Sequence, residues 1–318
     1  MYYQSPILST FQWTLNIALQ DDYNAIVYKA LLNAGYKDAD KDHALYQYYN
    51  LRKRQIEIRP RKVHISKEFV CPIGYELALK EFITKAENGD NLLPYQSQKI
   101  KQSTYNDMLL NDWGIQHFHL TRRFRDDGFA ARSPYLLFAY VTDDHFYLIQ
   151  AYPHNAEDLY SKHEMVRILR DNWPEVTETF HIKELTELTE KMNDHTYGEV
   201  RDAHMLTFLE LGKNEVYYPM GGGYASNGYS STALHQSDFW MNRLGAFQLC
   251  LRYNAEWVGR TINQIKDVDE PFCSMKIKLL WLDNADRVTT AEVNSGLIVQ
   301  VDSKGNWIRV CKAHEVFG

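Results

Sequence analysis

The sequence predicts an α+β fold: an antiparallel β-meander with flanking helices, a helical N-terminal portion and a mixed α/β C-terminal domain. Three patterns predict it. Residues 113–160 hold three strand-like runs separated by turn residues, alternating or continuously apolar as half-buried and buried strands are. Residues 15–31 and 232–265 repeat apolar side chains near i, i+3, i+4, i+7, the period of an amphipathic helix. From Lys276 on, short β-rich runs return, punctuated by Asn294-Ser-Gly296 and Lys304-Gly-Asn306, which are turn chemistry. The expected organisation is a helical portion over 1–60, a central α+β domain with the meander over 61–180, and a helical domain with a β-rich end over 181–318.

Leu15, Ala18, Leu19, Ile26, Val27, Ala30 and Leu31 mark a first helix, with Gly35 as its stop. A second helix is expected within 38–50, before Pro60, which lacks a donor and disfavours helix at Arg59. Lys62–Lys67 reads as a short strand. A helix over 76–86 is expected to end near Gly89, followed by a polar loop over 88–102. In the meander, Gly114–Leu120 alternates with period two, so Ile115, His117 and His119 share one face and Gln116, Phe118 and Leu120 the other. Tyr135–Val141 and His145–Tyr152 are the second and third strands, joined by Thr142-Asp143-Asp144. Helices are then expected over 156–172, 182–192, 199–211 and 232–265, the last capped by Ser230 or Ser231.

With 35 basic and 41 acidic residues the formal charge is -6, which argues against a chain that coats nucleic acid with its whole surface. The charge is nevertheless polarised. Arg52, Lys53, Arg54, Arg59, Arg61 and Lys62 form one basic cluster, Arg122, Arg123, Arg125 and Arg132 a second, and 175–190 is acidic. The basic clusters are the expected nucleic-acid-binding residues. The four cysteines, Cys71, Cys250, Cys273 and Cys311, have no metal-knuckle spacing and read as thiols of a reducing compartment. No run reaches the roughly 18–20 apolar residues of a membrane span, and Met1-Tyr-Tyr-Gln-Ser-Pro has no secretory character. A cytoplasmic protein without a membrane partner is expected. No cofactor and no metal is expected, because His117-x-His119 finds no third ligand at a recognisable spacing.

Five of the 12 histidines (His117, His119, His145, His154 and His163) fall within 113–163, beside the second basic cluster. Buried imidazole nitrogens need hydrogen-bond partners, so His117 and His119 on one strand face imply a polar groove. This segment resembles the small RelE/ParE-type toxins, whose cores are a β-meander plus helices. Gly114–Leu120 corresponds to the first strand, Tyr140 to the tyrosine of the second, Asp143-Asp144 to the turn, and Tyr152-Pro153-His154 with Glu157–Tyr160 to the closing element. Leu137 and Asn155 stand where that family often carries basic residues. The resemblance implies a toxin-like, metal-independent ribonuclease of a toxin–antitoxin or phage-defence kind, with RNA or DNA and an inhibitory protein as partners. Such cleavage needs a base, an acid and a cation beside the phosphate. The expected catalytic set is His117 and His119 as base and acid in some order, Arg123 or Arg132 on phosphate, and Tyr140 or His154 orienting. The alternative is a non-catalytic nucleic-acid- or protein-binding protein using 52–62 and 122–132. Two further patterns compete. His64-Ile-Ser66 and His119-Leu-Thr121 resemble the paired motif of two-histidine phosphoesterases. The glycine-rich 221–228 loop is expected to be a mobile recognition loop presenting Tyr224 and Tyr229.

Overall fold

A computed structural model describes residues 13–267, 273–283, 287–302 and 307–317; the expected turn at 304–306 lies outside them. In chain order the elements are β1 (Thr14–Ile17), α1 (Leu19–Asn33), α2 (Ala44–Arg54), β2 (Lys62–Ile65), α3 (Glu76–Asn88), α4 (Met108–Trp113), β3 (Ile115–His119), β4 (Tyr135–Val141), β5 (His145–Pro153), α5 (His163–Asn172), α6 (Pro174–Thr177), α7 (Asp194–Asp202), β6 (Leu209–Gly212), β7 (Glu215–Tyr217), α8 (Ser231–Tyr253), α9 (Ala255–Lys266), β8 (Ser274–Asp283), β9 (Arg287–Glu292), β10 (Ile298–Asp302), β11 (Ile308–Cys311) and α10 (His314–Phe317). The fold is α+β, as the patterning predicts. By packing, the chain divides into two units, Leu31–Gln236 and the described residues up to Ala30 together with those from Ser237 on.

The larger unit is built on a four-stranded sheet of order β2-β5-β4-β3. Strands β3, β4 and β5 form the expected antiparallel meander, and β2 adds in parallel beside β5. Alternation sends side chains to two apolar layers. Ile115, Leu136, Phe138 and Ile149 meet Met165, Val166 and Leu169 of α5. Phe118, Leu120, Leu137, Ala139, Phe146 and Leu148 meet Ala78, Leu79 and Phe82 of α3. The Phe82 ring lies 5.1 Å from Phe118 and 5.6 Å from Phe146, inside the range where aromatic pairs contribute about 0.5–1.5 kcal/mol beyond burial. Helix α3 stops at Gly89, whose φ of 76° places it in the left-handed region, the usual helix-ending geometry.

The smaller unit is a five-stranded sheet of order β1-β8-β9-β10-β11. Its core joins Ile17, Met275, Ile277, Val288, Val299 and Val301 to Leu244, Phe247, Leu251, Val258 and Ile262 of α8 and α9.

Five local expectations are corrected. Leu15 belongs to a strand, because Thr14–Ile17 pairs in parallel with β8; a partner from the far end of the chain overrides a helical spacing. Residues 182–192 are not helical, where Glu184, Glu187 and Glu190 would place like charges at i, i+3. The expected helix over 156–172 shrinks to α5, that over 199–211 is displaced to α7 at Asp194–Asp202, and 209–217 instead forms the β6–β7 hairpin. The long C-terminal helix breaks at Asn254, whose side chain donates to the Cys250 carbonyl at 2.9 Å, a local competition typical of asparagine.

Candidate active site

Strand pairing brings three histidines to one end of the meander. On β4, Leu136 pairs with His119 on one side and with Tyr152 on the other. Two residues beyond Tyr152, the His154 backbone N–H donates to the Pro134 carbonyl at 2.7 Å. The His119 and His154 rings therefore stack, with centroids 6.3 Å apart and planes at 23°. The face that carries Ile115 into the core continues through His117 and His119 past the edge of that core. There the segment 158–161, helix α7 and the segment 97–109, which runs into the first turn of α4, close a cleft of about 630 Å³ lined by His117, His119, His154, Lys99, Tyr105 and Tyr160, among others.

Loss of hydration is the main influence on the two strand histidines. Burial lowers the pKa of His117, partly offset by the Asp107 carboxylate. His119 is pushed down to about 4, first by burial and then by the charges of His117, His154 and Arg132. Both rings are neutral near pH 7. The Nδ1 atom of each is buried with no hydrogen-bond partner among the described residues. A buried polar atom left unpaired costs about 1–3 kcal/mol, and such groups concentrate where a site has work to do.

The walls are held by buried polar contacts. Arg54 donates to the carbonyls of Asn50 (3.3 Å), Lys99 (3.3 Å) and Gln102 (2.9 Å), which fixes the 97–105 loop. Lys99 projects over the Tyr105 ring, Nζ 4.6 Å from its centre, and supplies an exposed cation at the cleft. Asp107 caps α4 by accepting the Leu110 N–H at 3.1 Å. The Arg201 guanidinium of α7 pairs with Asp112 at 2.7 and 2.8 Å, lies 4.3 Å over Trp113 and donates to the Tyr160 carbonyl. This anchors α7 and the 158–161 segment on α4.

Of the expected catalytic residues, the cleft gathers His117, His119 and His154. Arg132 is exposed near enough to His119 for its charge to be felt. Arg123 and Tyr140 do not line the cleft: Arg123 is exposed, and Tyr140 packs against the apolar layer under α5.

The expected nucleic-acid-binding run 52–62 is not a continuous cationic surface. Arg54 and Arg61 are buried, Arg61 donating to the carbonyls of Thr142 and Glu57. Arg59 pairs with Asp143 and Asp144, and Arg52 with Glu57. Lys53 donates to Asn111 Oδ1 (3.0 Å), the Gly221 carbonyl (2.7 Å) and Ser230 Oγ (2.9 Å), and burial lowers its pKa to about 8. Among the described residues, Lys62 alone of the six stays exposed without such a contact. In the second cluster Arg122 pairs with Glu81 and Arg125 with Asp127.

The glycine-rich loop is packed rather than presented. Its amides are spent on protein carbonyls, Gly221 N–H on Asp112 and Gly223 N–H on Asn111. A Cβ at Gly221 would stand 2.0 Å from the Leu110 carbonyl oxygen, so only glycine allows the approach. Tyr224 is buried, and Tyr229 stacks on Tyr46 with ring centres 4.0 Å apart. The two His-x-Ser/Thr motifs are not brought together either. His64 on β2 and His119 on β3 occupy opposite edges of the four-stranded sheet, and His64 Nε2 instead meets His145 Nδ1 at 3.0 Å.

Sequence reasoning missed Lys99, Tyr105, Asp107, Asp158, Tyr160, His195 and Glu199, all of which line the cleft. They come from 97–109, 157–161 and α7, segments with no pattern in common, and only a tertiary arrangement makes them neighbours. Among the described residues no group of three or more His, Cys, Asp or Glu side chains is arranged to hold a metal ion, and no helix is long and apolar enough to cross a membrane. Compared with protein-family models, curated proteins and solved structures, the chain finds no match.

Proposed function

We propose that the histidine cleft cleaves RNA phosphodiester bonds by metal-independent transesterification. The observation that carries this reading is the convergence of His117, His119 and His154 on one cleft, with two of the rings held neutral by burial. A neutral imidazole is a competent base for a ribose 2′-hydroxyl, and histidine suits proton transfer at neutral pH. In this reading His119 or His117 takes that proton. Lys99 at the cleft and Arg132, whose charge reaches His119, are the cations this reading assigns to the phosphate, and His154 orients His119 through their stacked rings. The toxin-like role in defence or toxin–antitoxin pairing rests on the family resemblance of 113–160.

The test is incubation of RNA with the protein in EDTA, scoring products that end in 2′,3′-cyclic phosphate and 5′-hydroxyl. The variants His119→Gln and His117→Gln are compared at matched circular dichroism. The expected result is cleavage by wild type and a loss of about 10²–10⁴-fold in whichever variant removes the base. Equal rates for wild type and both variants would overturn the reading.

A further inference from the structure

Transesterification needs a second proton transfer, because the departing ribose 5′-oxygen is a poor leaving group unless protonated. His117 and His119 are unsuited to it, being held neutral by burial. A fourth histidine lines the same cleft from another element. His195 is the second residue of α7, and its Nδ1–H donates to Asp158 Oδ1 at 3.1 Å.

Asp158 is built for a fixed position. Its φ of 48° lies in the left-handed region, a conformation that costs a non-glycine residue energy and persists only when surroundings impose it. Its carbonyl accepts the Ser161 N–H at 2.9 Å and the Ser161 hydroxyl at 3.3 Å. The turn so formed aims the carboxylate at α7.

The geometry points to His195, positioned by Asp158, as the general acid that protonates the leaving 5′-oxygen in this cleft. The assignment rests on the ribonuclease reading above and extends it by a residue.

Three carboxylates face the ring. Asp158 bonds Nδ1, Glu199 Oε1 stands 3.6 Å from Nε2, and Glu157 acts from further away. Together they raise its pKa, with the Asp158 hydrogen bond the leading cause, against the N-terminus of α7, whose dipole opposes a cation there. The cleft thus holds histidines whose environments push their proton affinities apart, as an acid–base pair requires. As the 2′-oxygen–phosphorus bond forms, His119 or His117 takes the 2′-hydroxyl proton. As the phosphorus–5′-oxygen bond breaks, His195 gives its Nε2 proton to the leaving oxygen. The products are a 2′,3′-cyclic phosphate and a 5′-hydroxyl. Solvent then returns the proton from base to acid, so no oxidant, reductant or co-reactant is consumed.

The deciding experiment varies the leaving group, using a diribonucleotide and a uridine 3′-(4-nitrophenyl phosphate), whose nitrophenolate departs without a proton. His195→Gln is expected to lose about 10²–10³-fold in kcat on the diribonucleotide and under about fivefold on the aryl ester, whereas loss of the base costs both substrates alike. Asp158→Asn, which keeps a residue tolerant of that backbone conformation, is expected to shift the alkaline limb of the kcat/KM profile to lower pH, because the imidazolium loses its carboxylate. If wild type cleaves both substrates and His195→Gln matches it, or loses equally on both, the acid assignment falls while the ribonuclease reading stands. If wild type cleaves neither, both fall.

Discussion

At His119, loss of hydration and the nearby charges of His117, His154 and Arg132 act in one direction, and the ring stays neutral down to about pH 4. Two consequences follow for measurement. The acid limb of kcat/KM, which reports the free enzyme, is expected near pH 4 rather than near 6.5 if His119 is the base. Stability carries the same signature. Between pH 6.5 and 4 the unfolded chain binds a proton at this position that the folded chain does not. Stability therefore rises with pH across that window and is lost as pH falls through it. Urea denaturation at pH 7 and 4.5 should show wild type losing more stability than His119→Gln, and parallel losses would show that the ring is hydrated. The residue scale also separates the two kinds of cation in the chain. Lys53, Arg54 and Arg61 satisfy buried carbonyls, while Lys99 and Arg132 remain exposed.

At the scale of elements, the cleft depends on how α7 is fastened to α4. The Arg201–Asp112 pair is almost fully buried, with side chains 3% and 1% exposed, and Tyr197 of α7 adds its hydroxyl to Asp112 at 3.3 Å and receives the Trp113 indole N–H at 3.2 Å. Removing one partner leaves a buried charge uncompensated, which costs about 3–5 kcal/mol. Arg201→Met is expected to lower stability by that order in equilibrium denaturation. A loss under about 1 kcal/mol would place the pair in the weak class of solvent-screened bridges. Because α7 also carries His195, partial melting of this helix should reduce cleavage before the sheet unfolds, visible as activity lost ahead of the circular-dichroism transition. The elements themselves were unevenly legible. The meander strands and α3 could be read from period and punctuation, since the sheet meets a core on both faces and α3 buries one apolar stripe, Ala78, Leu79, Phe82 and Ala86. The acidic 182–192 segment could not, because its spacing looks helical while its like charges oppose the helix. Helix α4 and the β6–β7 hairpin are too short for periodicity to register.

At the scale of the molecule, every residue assigned to the cleft lies within Leu31–Gln236, one of the two units. A protein comprising 31–236 is therefore expected to fold and to cleave RNA at a rate near that of the full chain, checked by circular dichroism and the cleavage assay together. A folded but inactive fragment would show that the remaining unit contributes to the site.

From the residues alone, the period of the meander strands, the helix stop at Gly89, the histidine-bearing face of β3 and the α+β class could be read, because these follow from local geometry and from which side chains avoid water. What only the tertiary structure decided is which distant segments meet: β1 beside β8, β2 beside β5, and Asp158 and His195 beside the β3 histidines. The physical reason is that such pairings are selected by the burial and hydrogen bonding of the whole chain, and they leave no repeating trace along it. The same reason turned Lys53, Arg54 and Arg61, which read as part of a charged surface, into internal ties.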